Sequence, residues 1–181
     1  MRAMLAAVVL VMAALGPAGA SEPEPAGYRM SAYRGPTPAG LAGAVTVDTA
    51  AARRLLDDDA AIPINVQKAD RSALPRGPWL VGWPQPQIPG GVWLGNVGLG
   101  EPEPDILAYF RANLERLTKG DPGRGLLFYC LSDCWLSWNA AKRALSMGYR
   151  RVYWYRDGID GWIEAGLPTV EAMPEPVTAS P

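Results

Sequence analysis

The chain has no histidine and contains only two cysteines and two phenylalanines. Each shortage removes a chemistry. Without imidazole there is no Cys-His dyad, no His-ligated metal and no Cys-x-x-Cys-His haem site. With 17 basic against 18 acidic side chains there is no cationic excess to neutralise phosphates, so nucleic acid is not an expected partner. No apolar run beyond the first twenty residues approaches the ~20 residues that span a bilayer, and no segment repeats.

What is present concentrates in one place. The two cysteines stand in Tyr129-Cys130-Leu131-Ser132-Asp133-Cys134-Trp135, between an apolar strand-like run and a helical pattern. A thiolate at the start of a helix is stabilised by unpaired backbone N–H groups and the positive end of the dipole, which lowers its pKa and raises its reactivity. A second thiol four residues on can capture what the first one binds. Asp133 between them works in the opposite sense, raising the pKa of a neighbouring thiol.

Met1-Arg2-Ala3-Met4, an apolar run from Leu5 to Leu15, and the small residues Gly16-Pro17-Ala18-Gly19-Ala20 read as a secretory signal peptide cut after Ala20. The expected location is the periplasm, with no membrane span after cleavage. That compartment is oxidising, so a free dithiol there must be maintained, shielded or used. Residues 21–40 are rich in Pro, Gly and small side chains and read as a leader arm whose Tyr28, Met30 and Tyr33 pack on something. Residues 41–170 form one domain, and 171–181 a Pro-rich tail.

Within the domain, Val45 and Val47 alternate as a strand, and Asp48 or Thr49 caps a helix through Leu56. The acids Asp57, Asp58 and Asp59 oppose the dipole, end that helix and stay solvated. Ile62 to Val66 reads as a buried strand. Residues 68–91 read as a long connection, with Trp79 and Trp83 anchoring it on the core. Val92-Trp93-Leu94 resumes a strand, and a helix from Pro104 or Asp105 to Leu117 carries the stripe Ile106, Leu107, Phe110, Leu114 and Leu117. Leu126 to Tyr129 is a central strand leading into Cys130, followed by a helix from about Leu136 to Met147, a strand over Arg151 to Tyr155, and turns at Gly158 and Gly161. This order implies a single α/β domain with a mainly parallel central sheet flanked by helices.

The strand, cysteine, loop and helix with Ala140-Ala141, then Asp157-Gly158-Ile159-Asp160-Gly161-Trp162 and Gly166-Leu167-Pro168, resemble the rhodanese-like domain. Gln87-Ile88-Pro89-Gly90-Gly91 and Asn65-Val66-Gln67 look like two further segments of that family, and the resemblance covers roughly residues 40 to 170. Cys130 to Trp135 with Ser137-Trp138-Asn139 is similar to exported rhodanese-like proteins associated with pyrroloquinoline-quinone (PQQ)-dependent alcohol catabolism, a group named for its cysteine-cysteine-tryptophan motif. The resemblance implies that Cys130 is delivered into a loop of backbone amides and holds a sulfane sulfur as a persulfide. Cys134 is then the resolving thiol, and Leu131, Ser132, Asp133, Trp135, Leu136 and Ser137 the substrate-binding cradle.

Two departures narrow this. The family's loop usually runs Cys-x-x-Gly-x-Arg-Ser, whereas here Asp133 takes the glycine position and Trp135 the arginine position; in an alternative register Leu136 faces the arginine. Either register leaves the loop without a cation, which argues against efficient thiosulfate:cyanide transfer and against a phosphatase that grips phosphate with arginine. Lys142 and Arg143 are too far along the helix to replace it, and solvation is expected for both.

Three roles for the pair stay open at this point. They are sulfur transfer, dithiol–disulfide exchange with an exported redox partner protein, and a non-catalytic rhodanese-fold binding protein with structural cysteines. Trp135 and Trp138, three apart on a helix, either shield the sulfur chemistry or pack against the long connection. Two thiolates suit copper(I), but no other residue supports a metal role. No cofactor or metal is expected. A small sulfur donor, or components of a PQQ-dependent dehydrogenase system, are the expected partners.

Overall fold

The computed structural model describes residues 22–73 and 77–177, so the expected signal peptide and the end of the tail lie outside the described residues. Five strands form one sheet in the order β1-β6-β5-β2-β4: β1 (Val45–Val47), β2 (Ala61–Asn65), β4 (Val92–Trp93), β5 (Gly125–Tyr129) and β6 (Val152–Tyr155). All its pairings are parallel. The helices are α1 (Thr49–Asp57), α2 (Pro104–Thr118), α3 (Trp135–Ser146) and α4 (Gly158–Glu164). The expected α/β class with a mainly parallel sheet is what the chain adopts. None of the described helices is long and apolar enough to cross a membrane.

The central strand β5 shows why both faces of the sheet are covered. Side chains alternate along a strand, and every residue of Gly125–Tyr129 is buried. Leu126 and Phe128 pack with α2 and α3 on one face, while Leu127 and Tyr129 pack with α1 and α4 on the other. Cys130, next in phase after Phe128, joins the α2/α3 face at the C-terminal edge of the sheet. The strand's alternation therefore aims the first thiol.

Helix boundaries follow their capping residues. Asp48 caps α1 by accepting the Ala51 amide at 2.7 Å, and the helix ends at Asp57 with Asp58 and Asp59 exposed, as expected. Pro104 occupies the first turn of α2, and Lys119 closes it in the left-handed conformation.

Three sequence expectations are corrected. Gly158 and Gly161 are not turns but lie in α4. Each glycine fits a close approach: a Cβ on Gly158 would stand 2.3 Å from the Cys130 carbonyl oxygen, and one on Gly161 2.6 Å from Asp157 Cβ. The connection 68–91 contains a strand, β3 (Gln85–Gln87), paired antiparallel with β7 (Val170–Ala172) at the start of the tail. Trp79 anchors that connection, donating from Nε1 to the Glu175 carbonyl and meeting Tyr109 edge-on, whereas Trp83 is 73% exposed and anchors nothing.

Candidate active site at the cysteine loop

Cys130 leaves β5, three residues turn, and Cys134 becomes the N-cap of α3. The turn requires Asp133 at φ 49°, in the left-handed region that Asp and Asn tolerate better than other non-glycine residues. This is the conformation that a glycine adopts without steric cost.

The leader arm clamps the loop from one side. Tyr33 accepts the Trp135 amide at 2.8 Å, and Gly35 donates its amide to the Asp133 carbonyl at 3.0 Å. Between these two bonds Arg34 and Cys134 form an antiparallel bridge pair. Trp135 and Trp138 donate from their indole nitrogens to the Pro36 and Gly40 carbonyls, and the two rings meet edge-on at 5.4 Å. Asn139 accepts the Arg29 amide at 2.9 Å and donates to the carbonyls of Arg29 and Gly98. The tryptophans thus hold the arm.

Lys142 and Arg143 also belong to this clamp, which overturns the expectation that both are solvated. Lys142 donates to the Pro25 and Ala26 carbonyls and sits over the Trp138 ring. Arg143 is only 5% exposed; it donates to the carbonyls of Val97, Leu99 and Gly100 and stacks on Tyr28. Tyr33 packs on the core as expected of the arm, but Met30 is largely exposed.

Helix α4 approaches the loop from the opposite side. Ile159 donates its amide to the Cys130 carbonyl at 2.8 Å, and the Asp160 carboxylate accepts the Ser132 amide at 2.8 Å. Thr49, Ser132, Asp157, Asp160, Gly161 and Glu164 line a cleft of about 370 Å³ here. Its three carboxylates disfavour an anion, and Asp160 already occupies one loop amide that an anion would use.

Both thiols are free and buried, Cys130 at 1% and Cys134 at 3% exposure. Burial pushes the Cys130 thiol well above its usual pKa, and its interaction with Cys134 adds to the rise. Cys134 is held below the usual value, chiefly by the hydrogen bond from Cys130, against the effect of burial; the amides of Leu136 and Leu131 and the charge of Arg34 help. The bond from Cys130 and the position at the helix N-terminus both favour a thiolate on Cys134.

The cradle residues divide into two groups. Leu131, Ser132 and Asp133 reach the surface, with Asp133 facing Arg156 at 3.7 Å. Trp135, Leu136 and Ser137 are buried; Ser137 donates to the Cys134 carbonyl and accepts from the Trp154 indole, so this group braces the loop from inside.

The model of the rhodanese-like domain family matches residues 48–165. The chain belongs to the rhodanese-like domain family. Solved structures similar to this rhodanese-like chain include the polysulfide-sulfur transferase homodimer of Wolinella succinogenes, at 18% identity and TM-score 0.45, covering 71% of this chain and 80% of that one. A thiosulfate sulfurtransferase of Pseudomonas aeruginosa aligns at 19% identity and TM-score 0.47, over 72% of this chain and 21% of that one. A human single-domain sulfurtransferase aligns at 20% identity and TM-score 0.43, over 67% and 96%. The search of curated proteins gives no match.

The arm lies ahead of the residues matched to the rhodanese-like family. Arg34 and Arg156 carry no signal in the sequence, and Asp160 and Asn139 stand there only within segments that resemble the family. A signal existed for Asn139 and Arg143: four residues apart, they fall in phase with the apolar stripe of α3, where a polar side chain has to find buried partners.

Proposed function

We propose that this is an exported rhodanese-like protein that takes a sulfane sulfur onto Cys130 and resolves the persulfide with Cys134. The observation that carries the reading is the contact of two free thiols, one at the end of the central strand and the other capping α3. The Cys130 proton passes to the Cys134 thiolate as Cys130 attacks the terminal sulfur of the donor. A sulfur–sulfur bond forms to Cys130, the donor's own sulfur–sulfur bond breaks, and its electron pair leaves with the shortened donor, which takes the proton back from Cys134. The restored Cys134 thiolate then attacks Cys130 Sγ. Hydrosulfide leaves, a Cys130–Cys134 disulfide forms, and an exported dithiol reductant returns the pair to thiols by exchange.

The signal-like N-terminus and the oxidising compartment it implies support the exported, periplasmic setting. The cysteine-cysteine-tryptophan motif supports association with PQQ-dependent alcohol catabolism, with dehydrogenase components as candidate partners. The test is intact mass after brief exposure of reduced protein to polysulfide. A gain of one sulfur on Cys130 that accumulates in Cys134→Ser and turns over to a disulfide in the wild type supports the reading, and no gain on either protein rejects it.

The same thiol contact favours a second reading, dithiol–disulfide exchange without sulfur transfer. Under it, Cys130→Ser traps a mixed disulfide with an exported partner through Cys134, and the wild type gains no sulfur from polysulfide.

A further inference from the structure

The loop carries no cation of its own, yet a sulfane-sulfur donor in water is commonly an anion. Three arginines approach the cysteines, and two are engaged. Arg29 donates to the Ser31 carbonyl and lies 5.1 Å from the centre of the Trp135 ring. Arg156 donates to Thr37 and faces Asp133. Arg34 is exposed, and no ion pair or side-chain hydrogen bond of the described residues engages its guanidinium.

Its backbone fixes where its side chain goes. The bonds from Trp135 N–H to Tyr33 and from Gly35 N–H to Asp133 flank the Arg34/Cys134 pair, making it the narrow, non-hydrogen-bonded kind. In such a pair the Cα atoms are about 4.5 Å apart and both side chains project to the same face. Arg34 therefore rises beside the Cys134 sulfur, and its longer side chain continues toward solvent. Its positive charge reaches both thiols.

We propose that Arg34, supplied by the leader arm, is the anion-binding residue of the site and selects short anionic sulfur chains such as polysulfide as the sulfur donor. The inference rests on the sulfur-transfer reading above. One guanidinium holds one end of a linear chain by a charge-assisted bond while the other end reaches Cys130. A bulky sulfonate needs several donors, and the Asp160 carboxylate already takes the Ser132 amide. The acidic cleft on the α4 side leaves the arm side as the approach for an anion.

The test compares wild type, Arg34→Gln and Arg34→Lys, with sodium tetrasulfide as the anionic probe and iodoacetamide as the neutral one. Persulfide formation on Cys130 is followed by rapid quench and intact mass, and alkylation on its high-pH plateau, where the field on the thiol no longer matters. The expected result for Arg34→Gln is a KM for tetrasulfide raised about tenfold, a limiting rate and an alkylation plateau within about twofold, and recovery of most of the loss in Arg34→Lys. An unchanged KM in Arg34→Gln, with wild type persulfidated normally, overturns the role of Arg34 alone. Equal losses toward both probes also overturn it, since they point to a disturbed loop. No sulfur uptake by wild type overturns the sulfur-transfer reading and this inference together.

Discussion

The two sides of the cysteine loop carry opposite charge and are built differently. On the arm side, Arg29, Arg34, Lys142 and Arg156 surround a ribbon of backbone bonds and two tryptophans. On the α4 side, Asp157, Asp160 and Glu164 line an open cleft, and contact to the loop is made by one amide and one carboxylate. The α4 side falls inside the segment matched to the family, whereas the basic arm precedes it. The fold thus presents the thiols, and the segment outside the matched domain adds Arg29 and Arg34 to the Lys142 and Arg156 that the domain itself places there.

The largest expected effect comes from breaking the α4 side. Gly158 has φ 60°, and a Cβ there meets the Cys130 carbonyl. Gly158→Ala should destabilise by about 3 kcal/mol or more, since it combines a strained backbone with a backbone clash. That lowers the thermal midpoint by roughly 6 to 12 °C in a chain of this length. A midpoint within a degree or two of wild type would mean that α4 does not depend on this approach.

Breaking the arm side should cost less stability but change reactivity more. Asn139→Ala removes three bonds that pin the arm at Arg29 and the loop at Gly98. A loss of about 2 kcal/mol is expected, because part of the exposed backbone regains water. The variant should also release the arm faster under limited proteolysis and alkylate faster at its thiols. Unchanged alkylation would show that the arm does not control access to the cysteines.

Between the two sides, the charge of the pair itself can be titrated. Ultraviolet thiolate absorbance should show one group ionising below the ordinary thiol value of about 8.5 and the other only well above it. Cys134, depressed in the folded state by its bond from Cys130, contributes stability present above the unfolded pKa and lost as pH falls through the folded one. Cys130, raised by burial, contributes stability present below the unfolded pKa and lost as pH rises toward the folded one. In Cys134→Ser the low ionisation should disappear. Its survival there would move the charge to Cys130.

How much of this was legible in the sequence differs between the two sides in an instructive way. The strand that delivers Cys130 was readable, because Leu126, Leu127, Phe128 and Tyr129 are apolar in both phases and such a run must be buried on both faces. α4 was hidden because glycines at 158 and 161 suggest turns, although they serve close backbone and side-chain approach. β3 was hidden because Gln85-Pro86-Gln87 carries no strand signal and its partner lies far along the chain. The arm's register against Cys134 is also non-local: nothing in residues 33–35 announces that they pair with residues 133–135.

The smallest expected effect sharpens the charge difference without disturbing either side's packing. Asp160→Asn keeps an oxygen to accept the Ser132 amide but removes one of the cleft's three carboxylates. An exposed charge is strongly screened, so the change in stability should stay within about 0.5 kcal/mol. The field on an approaching anion weakens nonetheless, and uptake of sulfur from tetrasulfide should rise about two- to threefold at low salt and return to the wild-type rate at high salt. Iodoacetamide, being neutral, should report no such salt dependence. If Asp160→Asn accelerated both probes alike, Asp160 would be acting on the loop's geometry, and the acidic side would have no part in steering the donor toward Arg34.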